Sequence, residues 1–310
     1  PAHEKTVERK LRALYPDVFV LASYEAAPVL GEYERMVTTV LNGYVAGKVS
    51  DYVGRFEGAL KMNGFRGTML LMQCTGGVSG VDEIRRHPIT MLDSGPVGGI
   101  LGAKQIGKSN RDPNLICTDV GGTSFDVGLI RNGAWEIEDF PVLEQFTFRV
   151  PKVLVKSIGS GGGSIIWLDD MGILRVGPES AGADPGPACY GKGGTRPTLT
   201  DADLLLGYLN PDYFLGGRIP LDVALAAEAL KGIARSTGMD PVEICSAAFD
   251  ISNAQMADLI RKSTIEKGYD PRDFVLLAYG GAGPTHAAFY GRDAGVQEII
   301  IPSHSAVFSA

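Results

Sequence analysis

Eight residues constrain this chain more than any others: Asp119-Val120-Gly121-Gly122-Thr123-Ser124-Phe125-Asp126. The apolar run Leu115 to Val120 reads as a strand, and Phe125 to Ile130 reads as a second. Two glycines between them let the chain reverse and let a ligand come close to the backbone. Arg131-Asn132-Gly133 is a hairpin turn, because Asn-Gly suits positive φ. Ala134 to Asp139 is then a third strand. The pattern predicts an antiparallel meander over Leu115–Asp139 with Gly121–Ser124 at its first turn. Gly121, Gly122, Thr123 and Ser124 supply N–H groups and hydroxyls for an anion-binding concavity, the kind that holds phosphate. Asp119 and Asp126 can hold Mg²⁺ directly or through water, since that ion takes oxygen ligands and keeps its waters. The plain alternative is a hairpin with polar turn residues. A strand-Asp-GGTS-strand unit ahead of a second hairpin favours phosphate.

The surrounding pattern is α/β. Residues 5–14 read as a helix and Val18 to Ala22 as a strand. From Tyr33 to Leu60, apolar residues recur every three or four positions, which predicts one long amphipathic helix. Thr68 to Gln73 reads as a buried strand, and Ser94-Gly95-Pro96 opens a small-residue helix to about Ile106. The polar, turn-rich stretch Gly107 to Pro113 marks a boundary. Later helices start at Asp222 and at Asp240-Pro241, the second running to Lys267 with Gly268 at its end. Phe274 to Tyr279 and Val296 to Ile301 read as strands, with a helix from Pro284 between them.

Three further loops carry candidate chemistry. Tyr279-Gly280-Gly281-Ala282-Gly283-Pro284-Thr285-His286 lies between a buried strand and a helix. Its small residues let a purine or a sugar lie against backbone, and the helix start favours anions; the plain alternative is a strand-to-helix turn that needs Gly only for its angles, but downstream of the first loop it looks like the adenosine loop of an actin/hexokinase/heat-shock-chaperone-type ATPase. Ser157-Ile158-Gly159-Ser160-Gly161-Gly162-Gly163-Ser164 is a tight loop with apolar flanks, either approaching a nucleotide or simply turning between strands. Gly177 to Thr200 is rich in Gly and Pro, as ordered functional loops often are. Asp184, Asp201 and Asp203 there could bind metal or a polar substrate, and Asp201 or Thr200 could instead cap the helix beginning near Ala202. Cys189 reads as a buried structural thiol, and His286 either acts on substrate or packs locally.

Composition removes other classes. A net charge of −7 leaves no broad basic field for a nucleic-acid backbone, and no apolar run reaches bilayer length. Cys74, Cys117, Cys189 and Cys245 are scattered without a CxxC pair, so neither a zinc site nor a disulfide framework is expected, and a cytoplasmic location is. His3, His87, His286 and His304 are equally dispersed. The ends, Pro1-Ala2-His3-Glu4 without an initiator Met and Ser309-Ala310 after a strand-like run, suggest a piece of a longer chain.

The strings CTDVGGTSFDVGLI, SIGSGGGSIIWLD, VGPESAGADPGPACYG, PTLTDADLLLGYL and YGGAGPTHA, in that order, resemble the hydantoinase/oxoprolinase family. PAHE, EYER, DSGPVGG and VFSA agree, so the resemblance runs essentially end to end. It implies an actin-like ATPase of two RNase H-like domains, here an incomplete first domain at residues 1–110 and a second at 111–310. It implies ATP and Mg²⁺ as cofactors, and a second, B-type subunit as partner. Asp119, Gly121, Gly122, Thr123 and Asp126 match the second phosphate loop; Gly280, Gly281, Ala282 and Gly283 match the adenosine loop. Asp119 and Asp126 are the catalytic candidates and Asp119 the metal candidate. Two departures stand out: no Asp-Gly-Gly-Thr loop precedes Asp119, and Phe125 stands where many members have a hydroxyl residue. Without the first loop, this chain is expected to bind nucleotide weakly and turn over no substrate.

The implied function is an ATP-dependent hydrolase component that phosphorylates a cyclic amide carbonyl so that water can open the ring. The alternatives are an ATP-dependent ketone carboxylase subunit and a non-enzymatic actin-like nucleotide switch.

Overall fold

The computed structural model describes residues 2–309; Pro1 and Ala310, the outermost residues of the PAHE and VFSA strings, lie outside it. Two compact units emerge, residues 1–98 with 136–154, and residues 99–135 with 155–310. The division falls inside the continuous helix Ser94–Asn110, whereas the sequence pattern marks the turn-rich stretch after that helix.

The first unit is built on the 31-residue helix Glu32–Met62. Asn42, fully buried, pins that helix to the end of the short helix Val81–Arg86 and the 3-10 turn Pro88–Met91: its Nδ2 donates to the Arg86 carbonyl (3.1 Å) and its Oδ1 accepts from the Ile89 N–H (3.1 Å). One core cluster here gathers Val37, Cys74, Ile89, Phe148 and Val150, and Val53 and Ile84 are fully buried as well. Leu70–Met72 pairs antiparallel with Val78–Gly80, so the buried strand expected at Thr68–Gln73 is three residues long and edges only a hairpin. Val18–Ala22 forms no strand. Val18 and Phe19 are largely exposed and no neighbouring strand offers their backbone a ladder.

The second unit holds a six-stranded mixed sheet. Its strands are β1 (Leu115–Val120), β2 (Phe125–Arg131), β3 (Ala134–Trp135), β4 (Val155–Ile158), β5 (Val275–Tyr279) and β6 (Glu298–Ile300). The order is β4-β2-β1-β5-β6, with β3 on β2. β1, β2 and β4 run antiparallel, while β5 lies parallel to β1 and β6 parallel to β5. The meander expected from Leu115 is present through β1, β2 and β3. It stops at Trp135, because Ile137–Glu138 pairs with Lys152–Val153 in the first unit. Apolar alternation marks a strand but does not name its partner, so the sequence read two short strands as one.

After the end of helix Ser94–Asn110, this unit adds α1 (Leu199–Leu205), α2 (Val223–Thr237), α3 (Pro241–Thr264) and α4 (Gly283–Ala294). Asp222 and Asp240 cap α2 and α3 as expected, the latter in a capping box with Glu243. α3 and α4 pack on the sheet through a core that includes Phe125, Met256, Ile260, Leu276 and Tyr290.

Candidate nucleotide site

The parallel pairing of β1 and β5 sets the site. Asp119 is in register with Tyr279, so the two glycine turns leave the carboxyl ends of adjacent strands, where α/β sheets present their ligands. The turns touch. Ala282 N–H donates to the Val120 carbonyl at 3.0 Å. Gly280 sits at φ +86°, and a side chain there would run into Asp119 Oδ1 and the Val120 carbonyl.

The third glycine loop is a buttress for the first. Gly162 and Gly163 donate their N–H groups to the carbonyls of Gly121 (3.0 Å) and Gly122 (2.7 Å). Ser160, Gly161 and Ser164 spend theirs within the loop, on the Ile158 carbonyl, Ser164 Oγ and the Gly161 carbonyl. With its amides engaged, this loop offers no anion nest of its own. Thr200 extends the brace, both its N–H and its Oγ1 donating to the Gly162 carbonyl at 2.7 Å. In contrast, the N–H groups of Gly122 and Thr123 donate to nothing among the described residues.

A cleft of ≈ 380 Å³ opens beside these turns. Its lining includes Gly121, Gly122, Gly281 and Ala282 from the two turns, the apolar Tyr190, Phe214 and Ile219, and Lys192. A Cβ built on Gly121, Gly122 or Gly281 would meet nothing within 4 Å, so those glycines leave space for a ligand to rest on backbone. Asp119, Thr123, Ser124 and Asp126 belong to the same turn but do not line the cleft, and Gly283 is the buried first residue of α4. The donors, the open backbone and the apolar part of the lining suit a phosphate tail joined to a flat base.

The two candidate carboxylates face each other across the β1–β2 ladder in different states. Burial pushes the Asp119 carboxyl above its ordinary value, and a hydrogen bond from Ser309 pulls it partly back. Asp126 accepts from the hydroxyls of Ser124 (3.0 Å) and Ser157, which ties the turn to β4. Among the described residues no three His, Cys, Asp or Glu side chains gather into a metal cage. A single carboxylate suits Mg²⁺, which keeps most of its waters.

In the 177–200 loop, Asp201 is a fold residue. Fully buried, it accepts from the N–H groups of Cys189 (2.8 Å), Ala188 (3.2 Å) and Thr198 (2.8 Å) and from Thr198 Oγ1 (2.8 Å). The helix cap is Thr198, with Asp201 as its capping-box partner, two residues before the position expected. Asp184 is exposed. Cys189 is buried, and its thiol is pushed far up by burial and the nearby Asp201, so it is no nucleophile. His286 is buried, stacked on Phe249 with ring centroids 4.8 Å apart, and does not line the cleft. Sequence reasoning missed Phe214 and Ile219 as lining residues, and it named the loops that hold Lys192 and Thr285 without singling those two out; Phe214 and Ile219 sit in an irregular segment, where no periodicity marks them.

The hydantoinase/oxoprolinase family profile matches residues 35–310. The acetophenone carboxylase gamma subunit of Aromatoleum aromaticum is 40% identical over 93% of this chain and 40% of its own length. Caprolactamase subunit alpha of Pseudomonas jessenii is 38% identical over 97% of this chain and 44% of its own. Among solved structures, nucleotide-free acetone carboxylase, described as carrying out ATP-dependent acetone carboxylation, superposes with a TM-score of 0.90 at 34% identity over all of this chain and 44% of its own. The chain therefore spans less than half the length of these relatives. Among the described residues no helix is long and apolar enough to cross a membrane.

Proposed function

Because this chain belongs to the hydantoinase/oxoprolinase family, we propose that it supplies the second phosphate loop and the adenosine loop of an ATP site in an enzyme that cleaves ATP to activate a carbonyl. The observation that carries the reading is the β1–β5 pairing, which brings the two turns together at one cleft. We assign the second unit to the second RNase H-like domain of an actin-like ATPase and the first unit to an incomplete first domain.

ATP, when bound, supplies the phosphoryl group that turns a carbonyl oxygen into a leaving group. The N–H groups of Gly122, in the cleft wall, and Thr123, beside it on the same turn, would bind and orient the phosphate tail, and Asp119 at the start of that turn would hold Mg²⁺ directly or through water. Asp126 fixes the turn through Ser124 and Ser157. Gly280, Gly281 and Ala282 give the nucleoside a flat backbone to lie on. The substrate class is a cyclic amide opened by water. The 40% identity to a ketone carboxylase subunit supports a second reading, in which the same site drives carboxylation of a ketone. Both relatives are named as subunits, which supports assembly with a B-type partner, and a cytoplasmic location fits the four unpaired thiols.

The test is ATP cleavage by the protein assembled with its partner, with cyclic amides or ketones added. Asp119→Asn is expected to lower cleavage by roughly 100-fold or more, the scale of losing one preorganised group in a charged transition state. Stimulation by one compound class identifies the reaction, and cleavage unaffected by Asp119→Asn would defeat the site assignment.

A further inference from the structure

Asp203 is 2% exposed and lines the cleft. Its Oδ2 meets His286 Nε2 at 3.3 Å. Its Oδ1 has no hydrogen-bond partner among the described residues, and neither has His286 Nδ1. Buried polar atoms are almost always paired, so an acceptor left open in a cleft wall points to a ligand. Asp201, two residues earlier on α1, shows the contrast: both its oxygens accept from the fold. The fold has a use for Asp201 and none for the open oxygen of Asp203.

Position along the cleft narrows the ligand group. Thr200 and Asp203 are three residues apart on α1, one above the other on a helix face. Thr200 is bonded to Gly162, which is bonded to Gly121 in the phosphate turn. Asp203 therefore stands about one helical turn from the phosphate brace, in a cleft whose lining also includes the apolar Tyr190, Phe214 and Ile219. A carboxylate accepts and does not donate. Between the phosphates and the base, the donors on a nucleotide are the ribose hydroxyls.

We infer, resting on the nucleotide reading above, that Asp203 accepts a hydrogen bond from a ribose hydroxyl of the bound nucleotide. His286 acts as a positioning residue. Stacked on Phe249 and held at Asp203 Oδ2, it fixes the carboxylate with Oδ1 left for the ligand. Asp203 thereby selects ribonucleotides over deoxyribonucleotides.

The experiment is calorimetric titration of the protein assembled with its partner, as in the cleavage test above, with ATP, 2′-deoxy-ATP and 3′-deoxy-ATP, on the wild type, Asp203→Ala and His286→Gln. Removing the contacted hydroxyl is expected to weaken wild-type binding roughly tenfold or more, the size of a hydrogen bond to a charged group. Asp203→Ala should bind all three nucleotides about equally, and His286→Gln should narrow the ratio. Equal wild-type affinity for the three nucleotides overturns the inference and leaves the nucleotide site standing. A ribose preference that survives Asp203→Ala overturns it too, and points to another donor or to a contact on the base. No ATP binding by folded wild type overturns the nucleotide reading and this inference with it. If the buried substitutions unfold the chain, the wild-type ratio alone decides.

Discussion

Gly43 and Gly47 in the long helix of the first unit can be compared with Gly161 and Gly163 in the buttress loop of the second. The helix glycines are exposed, and a Cβ at either would meet nothing within 4 Å. At Gly161 a Cβ would sit 2.7 Å from the Gly121 carbonyl oxygen and 2.8 Å from the Thr123 nitrogen; at Gly163 it would lie 2.7 Å from the Gly122 carbonyl oxygen. The same residue is tolerated in one region and required in the other. What separates them is backbone from another segment pressed against the glycine, because backbone cannot rotate away as a side-chain tip can.

Gly161→Ala is the hardest test of that contrast. The added methyl must displace the backbone of the Gly121–Thr123 turn, so a loss of about 3 kcal/mol in unfolding free energy is expected, at the upper end of ordinary overpacking. Urea unfolding measures it, and nucleotide affinity should fall with it because the turn is held from this loop. A change within the scatter of surface substitutions would mean the loops are not braced together.

The comparison also shows what could be read in advance. The strand-GG-strand unit at Asp119 and the strand-loop-helix unit at Gly280 were legible because glycine clusters interrupt apolar runs, and turn chemistry is local. Their adjacency was expected from the needs of one nucleotide; the pairing that produces it, β1 with β5, joins residues about 160 apart. The buttress role of Gly159–Ser164 was not legible, since a loop that binds a ligand and a loop that binds another loop demand the same glycines. In the first unit the helical period of Met36, Val40, Tyr44, Tyr52 and Phe56 was read correctly as helix, yet all five are exposed. Periodicity identifies an apolar face; it does not supply what covers it. Asp203 was noted only as one of several acids, because an unpaired buried oxygen is a three-dimensional fact.

Asp119→Asn sharpens the contrast inside the second unit, between residues kept for the fold and residues kept against it. Burial raises the Asp119 pKa in the folded chain. A group shifted this way contributes stability that is fully present below its unfolded pKa and is lost as pH rises through the folded value. Near neutral pH the buried charge therefore opposes folding, and Asp119→Asn should melt higher than wild type, by less than Gly161→Ala lowers it. The gap should close in acid, where both side chains are neutral. Thermal melts across that pH range measure it; a variant that melts lower at neutral pH would assign Asp119 to the fold.

Gly43→Ala and Gly47→Ala carry the smallest expected effect, of opposite sign. Both glycines lie inside a continuous helix, and each alanine relieves a conformational penalty of about 0.5–1 kcal/mol without touching a neighbour. The unfolded chain is also less free with alanine, which acts in the same direction. Each substitution should therefore raise the unfolding midpoint slightly, measured by helix signal in denaturant, and the pair should come close to the sum, since neither new methyl has a contact to share. Gly161→Ala in the same assay moves the midpoint the other way. If Gly43→Ala or Gly47→Ala lowered the midpoint, something would be resting on that helix face in solution, and the division between tolerated and required glycines would have to be redrawn there.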